Sequence, residues 1–143
     1  MKIRQAELGD AAQLAALHAA LFPSAPWGEP YWRMMCGSQD HLVTLTEAEE
    51  AKIVACCAVH CATDEAEILI CGTSADHQRQ GVAGALLSHT LSCLHDRGVA
   101  ATFLEVAVTN AAAIALYNAQ GFSVVGQRKD YYGPGEDAHV MKR

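Results

Sequence analysis

The chain has 143 residues, 51% of them hydrophobic and 18% charged, and a formal net charge of −6. That is one domain's worth of chain with enough apolar surface for a sizeable core, which argues against a disordered protein. The acidic balance argues against a nucleic-acid binder, which would carry a basic patch. It suits a basic partner such as a cationic protein tail or a polyamine, and equally a merely solubilising surface. No apolar run approaches the ~20 residues of a membrane span. The start, MKIRQAELGD, lacks a signal-peptide core. The expectation is a single domain over residues 1–143, cytoplasmic, with no membrane partner.

In chain order, KIRQA (2–6) reads as a short strand. Asp10 and Gln13 have capping-box spacing ahead of a helical stripe of Leu14, Leu17, His18 and Leu21. Pro23 and Pro26 end that helix near Phe22. Residues 29–36 suit a second short helix. HLVTLTE (41–47) and KIVACCAVHC (52–61) read as strands joined by an acidic turn, and EAEILICGT (65–73) as a third. A helix then runs to about Arg97, with Gly98 just beyond its C-terminus. TFLEVAV (102–108) is a buried strand. Asn110 is a good N-cap for AAAIALYNAQ, which Gly121 terminates. Residues 122–132 and 137–142 finish as two strands around Gly133-Pro134-Gly135. Strands and helices interleaved in this way predict an α/β sheet of mixed direction with helices packed on it.

The six cysteines form no C-x-x-C pair, and most sit in strand-like or helical runs where a reduced thiol acts as a small hydrophobe. Cys57 and His60 would face opposite sides of a strand, so no metal site is expected there.

DHQRQGVAGALL (76–87) needs a special explanation, because glycine weakens a helix by roughly 1 kcal/mol relative to alanine. At a strand-to-helix junction, Gly81, Ala83 and Gly84 let an anion approach the unpaired N–H groups at the positive end of the helix. Gln78, Arg79 and Gln80 add donors at the rim. A tight helix–sheet contact would also require small residues. No G-K-[ST] follows, so this is not a Walker loop, and the spacing is not the dinucleotide fingerprint.

Gln78, Gly81 and Ala83, after a strand and opening a helix, resemble the pyrophosphate loop of the GNAT N-acetyltransferases. HQRQGVAGALL, RGVAATFLEVAVTNAAAIALYNAQGF and GQRKDYYGPGEDAHVMKR cover about residues 76–143. They are similar to the ribosomal-protein-alanine (RimI-type) group. The resemblance implies the GNAT acyl-CoA N-acyltransferase fold, with a mixed, mostly antiparallel central sheet flanked by helices. It implies acetyl-CoA as cosubstrate and direct attack by a primary amine in a ternary complex. The acceptor implied is the N-terminal alanine of a basic small-subunit ribosomal protein. Another protein N-terminus, a lysine, a polyamine or an aminoglycoside would use the same chemistry. A non-catalytic acyl-CoA-binding module is the alternative from another class. A monomer or weak homodimer is expected, the strand after residue 132 being free to pair between chains.

Acetyl transfer needs a base for the amine, stabilisation of the thioester oxygen and a proton for the leaving thiolate. Glu105 is the charged residue in TFLEVAV and the expected base, a carboxyl whose pKa an apolar sheet would raise. A Glu that faces a polar cleft, or is salt-bridged, would have a binding role alone. Tyr117 lies seven residues after Asn110 on nearly the same helix face, and the resemblance makes it the acid. Packing beside Ile114 would also account for it. The cofactor-binding residues implied are Cys71, Gly72 and Thr73, by backbone pairing with the pantetheine arm, with Arg79, Gln80, Gly81, Val82, Ala83, Gly84, Asn110 and Tyr117. Capping alone would explain Asn110. Cys71 beside a cofactor thiol also raises a mixed disulfide. The hairpin after Arg128, Tyr131 and Tyr132 would help wall a peptide groove, with Glu136 and Asp137 attracting a cationic substrate, or form a solvated turn with two packing tyrosines; Trp27 would form the other wall. Two departures bear on the acceptor: Ala107 stands where the group usually has Arg, and Thr109 where it usually has Ser.

Overall fold

The computed structural model describes all 143 residues. Strand β1 (Lys2–Gln5) leads through a 3-10 turn to helices α1 (Ala11–Leu21) and α2 (Glu29–Gly37). Strands β2 (His41–Glu47), β3 (Ile53–Ala62) and β4 (Glu65–Thr73) form an antiparallel meander. Helix α3 (Val82–Asp96), β5 (Ala101–Ala107), α4 (Ala111–Ala119), β6 (Ser123–Gly133) and β7 (Glu136–Lys142) follow. The order of elements is the one the sequence predicts, with boundaries moved by one or two residues.

All seven strands form one sheet in the order β1-β2-β3-β4-β5-β7-β6. Every pairing is antiparallel except β4 with β5. That parallel seam has only four residue pairs, from Glu65–Ala101 to Ile68–Leu104. Beyond it both strands continue, β4 held by β3 and β5 by β7. Each therefore turns one row of backbone N–H and C=O groups into the gap between them. A β-bulge falls at the point of divergence: Ala58 pairs with Ile70 and Val59 with Ile68, leaving Leu69 as the extra residue. Bulges bend the strand that carries them, which is how β4 leaves its neighbour.

The two faces carry separate cores. Leu86, Leu87, Leu91 and Leu94 of α3, with Tyr117 of α4 and Phe122, pack on Val59, Ile68, Leu104 and Val106. On the other face Leu14 and Leu17 of α1, with Trp32 and Met35 of α2, cover Val43, Leu45, Cys56 and Ala58. Helices α1 and α2 make their main contacts with β2, β3 and β4, so the β5 to β7 end of that face is the less covered one.

The Asp10–Gln13 capping box is not formed. The box is Glu7 with Asp10, closing the 3-10 turn one step earlier. Asp10 is committed to Arg4, 2.7 Å away, while Gln13 accepts the Ile53 N–H across the fold. Asn110 does cap α4, its side chain accepting the Ala113 N–H at 3.2 Å. Asn110→Ala should lower stability by about 1 kcal/mol in denaturant unfolding. Gly98 and Gly121 take the left-handed conformation with φ of 85° and 90°, as the C-terminal ends of α3 and α4 require.

Candidate active site

The gap between β4 and β5 opens into a chain of cavities. The first, of about 600 Å³, runs from the α3 N-terminus along Cys71, Gly72 and Thr73, with Arg79, Gly81, Val82, Ala83 and Gly84 in its wall. A second, of about 470 Å³, continues between the diverging strands past Cys71, Glu105, Asn110 and Tyr117. A third, of about 350 Å³, lies on the less covered end of the α1/α2 face and is lined by His60, Glu65, Glu67, Glu105 and Arg128. Glu105 and Leu104 belong to the second and third, so the passage crosses the sheet at Glu105.

At its α3 end the passage is built for an anion. Gly81 is the N-cap, left-handed at φ 78°, and no side chain caps the helix. The first N–H groups of α3 therefore point outward, at the positive end of its dipole. Arg79 is also left-handed, φ 61°, and lines the cavity with Gln78, which donates to the Thr73 carbonyl at 3.1 Å. Gln80 departs from expectation. It turns back to the Asp76 carbonyl, 3.2 Å away, and does not line the cavity. A buried polar atom is left over beside this end: Thr73 Oγ1 has no hydrogen-bond partner. Buried hydroxyls are rarely unpaired, so a ligand group is the natural partner.

Gly72 lies close under the end of the Leu21 side chain. A Cβ there would lie 2.7 Å from Leu21 Cδ1, with Phe22 close behind. Both side chains roof the passage, and Phe22 lines its first two cavities. No short-range motif distinguished Phe22, whose role comes from the place where Pro23 stops α1. Gly72→Val displaces the end of the Leu21 side chain, which lines the passage, an overpacking of about 1–3 kcal/mol. Its expected readout is a KM for acetyl-CoA raised about tenfold, with kcat little changed.

Tyr117 is 8% exposed, its ring edge-on to Phe122 at 5.7 Å and its face on the second cavity. Burial pushes its hydroxyl well above the ordinary tyrosine range. It therefore stays protonated at neutral pH.

Glu105 is not the isolated carboxylate that its apolar strand suggests. Arg128 Nε lies 2.9 Å from its Oε1. The Glu105 carboxylate is also close enough to Tyr131 to push the tyrosine hydroxyl up to about 12. The Arg128 guanidinium sits 5.6 Å from the Tyr131 ring. Arg128 thus supplies a cation beside Glu105 from β6, while position 107 on β5 itself holds alanine. This cluster depends on an irregular hairpin. Arg128 pairs with Ala138 and Gly133 with Glu136, so residues 129–132 bulge out opposite Asp137. The Asp137 carboxylate accepts the Asp130 N–H at 2.8 Å and holds the bulge in shape. Tyr132 from the same bulge reaches the second cavity. Asp137 is accordingly a structural anchor.

Trp27 does not line the groove. It stacks on His18 with ring centroids 4.6 Å apart, and its backbone N–H donates to His18 Nδ1 at 2.9 Å. Burial holds the His18 pKa below its ordinary value, consistent with a neutral, accepting ring.

Residues 11–122 match the sequence profile of the acetyltransferase (GNAT) family. The chain belongs to the GNAT family. It is 38% identical over 119 residues to the [ribosomal protein bS18]-alanine N-acetyltransferase of Escherichia coli K12, covering 81% of this chain and 79% of that one. The crystal structure of the Escherichia coli ribosomal-protein-S18-alanine N-acetyltransferase superposes with a TM-score of 0.86 over 99% of this chain and 91% of the other, at 32% identity. An aminoglycoside 6'-N-acetyltransferase complexed with coenzyme A shares the fold, with a TM-score of 0.86 at 12% identity, covering 100% of this chain and 96% of that one.

The expected GNAT fold is therefore the observed one, and the chain is an acetyl-CoA-dependent N-acetyltransferase. The passage fits that donor. It offers capless helix N–H groups and Arg79 for phosphates, an orphan hydroxyl at Thr73, and two unpaired strand edges for the amides of an extended arm.

Proposed function

We propose that this GNAT enzyme acetylates the N-terminal amine of a protein, an N-terminal alanine such as that of ribosomal protein bS18. The observation that carries this reading is Glu105, one carboxylate shared by the donor passage and the groove on the opposite face. Similarity to relatives that bear the alanine N-acetyltransferase name supports the choice of amine. Glu65, Glu67 and Glu105 give the groove an acidic lining suited to a cationic N-terminus from a basic protein. Cytoplasmic location follows for an enzyme of ribosomal proteins, and no helix here is long and apolar enough to cross a membrane.

Acetyl-CoA brings an activated thioester. Around it the chain's own groups divide the work. The α3 N-terminus, Arg79 and the backbone of Cys71, Gly72 and Thr73 hold the donor. Asn110 lines the same passage while capping α4. Glu105 takes the proton from the entering ammonium group, directly or through water. Arg128 and Tyr131 orient the carboxylate meanwhile. Tyr117 gives its proton to the departing thiolate.

The test is coenzyme A release from acetyl-CoA with an alanine-N-terminal bS18 peptide. The same peptide blocked at its N-terminus, lysine peptides, polyamines and aminoglycosides complete the panel. Turnover confined to the free N-terminus is the expected result. Turnover confined to another amine would reassign the acceptor. Tight coenzyme A binding with no amine ever acetylated would make the chain a binding module.

A further inference from the structure

Of the six cysteines, Cys71 alone lines the passage, and it lies in both the first and second cavities. Its direct partner across the β3–β4 ladder is Cys57, which is fully buried beneath it. The remaining four are placed elsewhere. Cys56 faces the α1/α2 core, Cys36 is on α2, Cys61 ends β3, and Cys93 sits on α3 beside His89. Tyr117, the residue placed at the departing thiolate, lines the second cavity together with Cys71.

We infer that Cys71 is a thiol-modification site that takes a coenzyme A disulfide, forming a mixed disulfide inside the enzyme's own donor passage. The inference rests on the reading that this passage holds coenzyme A. In the step, the Cys71 thiol first loses its proton to solvent. The thiolate attacks one sulfur of the coenzyme A disulfide. A Cys71–coenzyme A bond forms, the original S–S bond breaks, and its electron pair leaves on the second coenzyme A, which is protonated to the thiol. The cysteine sulfur is oxidised and the departing half reduced, so no further oxidant is required.

Three features favour this reaction at Cys71. Cys71 stands directly opposite the Cys57 thiol across the ladder, and this neighbour lowers its pKa below the ordinary cysteine value. The retained half is oriented by the phosphate end of the passage at α3. The departing half has an exit, because the second cavity continues past Glu105 into the acceptor groove. Cys57, by contrast, has its thiol pushed up by its Cys71 neighbour and by burial, so it stays protonated. The modified enzyme would carry its own donor fragment covalently, excluding acetyl-CoA until a thiol reduces the bond.

The experiment treats the reduced full chain with coenzyme A disulfide, and separately with glutathione disulfide, and follows both by intact mass and peptide mapping. Coenzyme A binding to the reduced chain is measured alongside by calorimetry. The expected result is one added coenzyme A, less two hydrogens, on the peptide carrying Cys71. The addition is blocked by saturating acetyl-CoA, reversed by dithiothreitol and absent in both Cys71→Ser and Cys71→Ala. Docking in the passage raises the local disulfide concentration, so labelling should outpace glutathione disulfide by about a hundredfold. Coenzyme A binding with no label on Cys71, or with the label unchanged in the two variants, overturns the inference and leaves the proposed function standing. Equal labelling by both disulfides without protection by acetyl-CoA, in a chain that binds no coenzyme A, overturns both.

Discussion

Replacing Glu105 with Gln should lower kcat about a thousandfold, within the range that a positioned general base contributes. The substitution keeps the shape of the side chain and removes both its charge and its basicity. Glu105 stands where the passage meets the groove on the opposite face, whereas the end proposed for the donor's phosphates lies at α3. The KM for acetyl-CoA should therefore stay within a few-fold, and the loss should appear in kcat. Unfolding would not explain it. The ion pair it breaks has Arg128 more than half exposed to water, so its net contribution to stability is small. A thermal melt within a few degrees of wild type would document this. Turnover at the wild-type rate on a proven acceptor would remove Glu105 from the mechanism and leave it with substrate binding.

Tyr117→Phe should lower kcat about a hundredfold, the lower end expected when one proton-transfer group is lost. The ring keeps its contact with Phe122, so folding is preserved. The pH profile discriminates further. Burial holds the Tyr117 hydroxyl above the ordinary tyrosine value, so the wild type should show no alkaline loss of kcat from this group up to about pH 10. A donor of acetyl groups built on a more acidic thiol needs less help in leaving. With such a thioester the defect of the Phe variant should shrink, whereas a merely structural tyrosine would give a defect independent of the leaving group.

Helix ends were largely legible in the sequence because the physics that sets them is local. Asn110 caps α4, Gly98 and Gly121 end their helices in left-handed turns, and Gly81 opens α3 where the spacing placed it. Pairing across long separations was not legible in that way. The Arg128–Glu105 ion pair joins β6 to β5 through a hairpin whose bulge is set by Asp137 and Asp130, and no spacing rule encodes it. Asp10 had the right distance to Gln13 for a capping box, but Arg4 offered a stronger partner. Gln80 had the right position for a phosphate donor, but the Asp76 carbonyl satisfied it first. Trp27 was placed by a buried histidine that nothing in its own loop announced. Glycine at position 72 was read as part of a backbone contact with a ligand. The space above it is also limited by the end of the Leu21 side chain, fifty-one residues earlier in the chain.

The short seam between β4 and β5 divides the sheet along the chain as well as in space. Strands β1 to β4 come from residues 2–73, and β5 to β7 from residues 101–142. Four residue pairs and the α3–α4 side of the core join these two contiguous pieces. Such a molecule resembles an arch whose keystone is the donor itself. A ligand lying along both free strand edges would stitch the halves together, and at a hundred times its Kd it would add about 2.7 kcal/mol to the folded state. Amide protons of β5, β6 and β7 should exchange as one cooperative unit without donor and slow together when it binds. The gap that makes room for chemistry would then also make the enzyme's rigidity track the supply of its substrate.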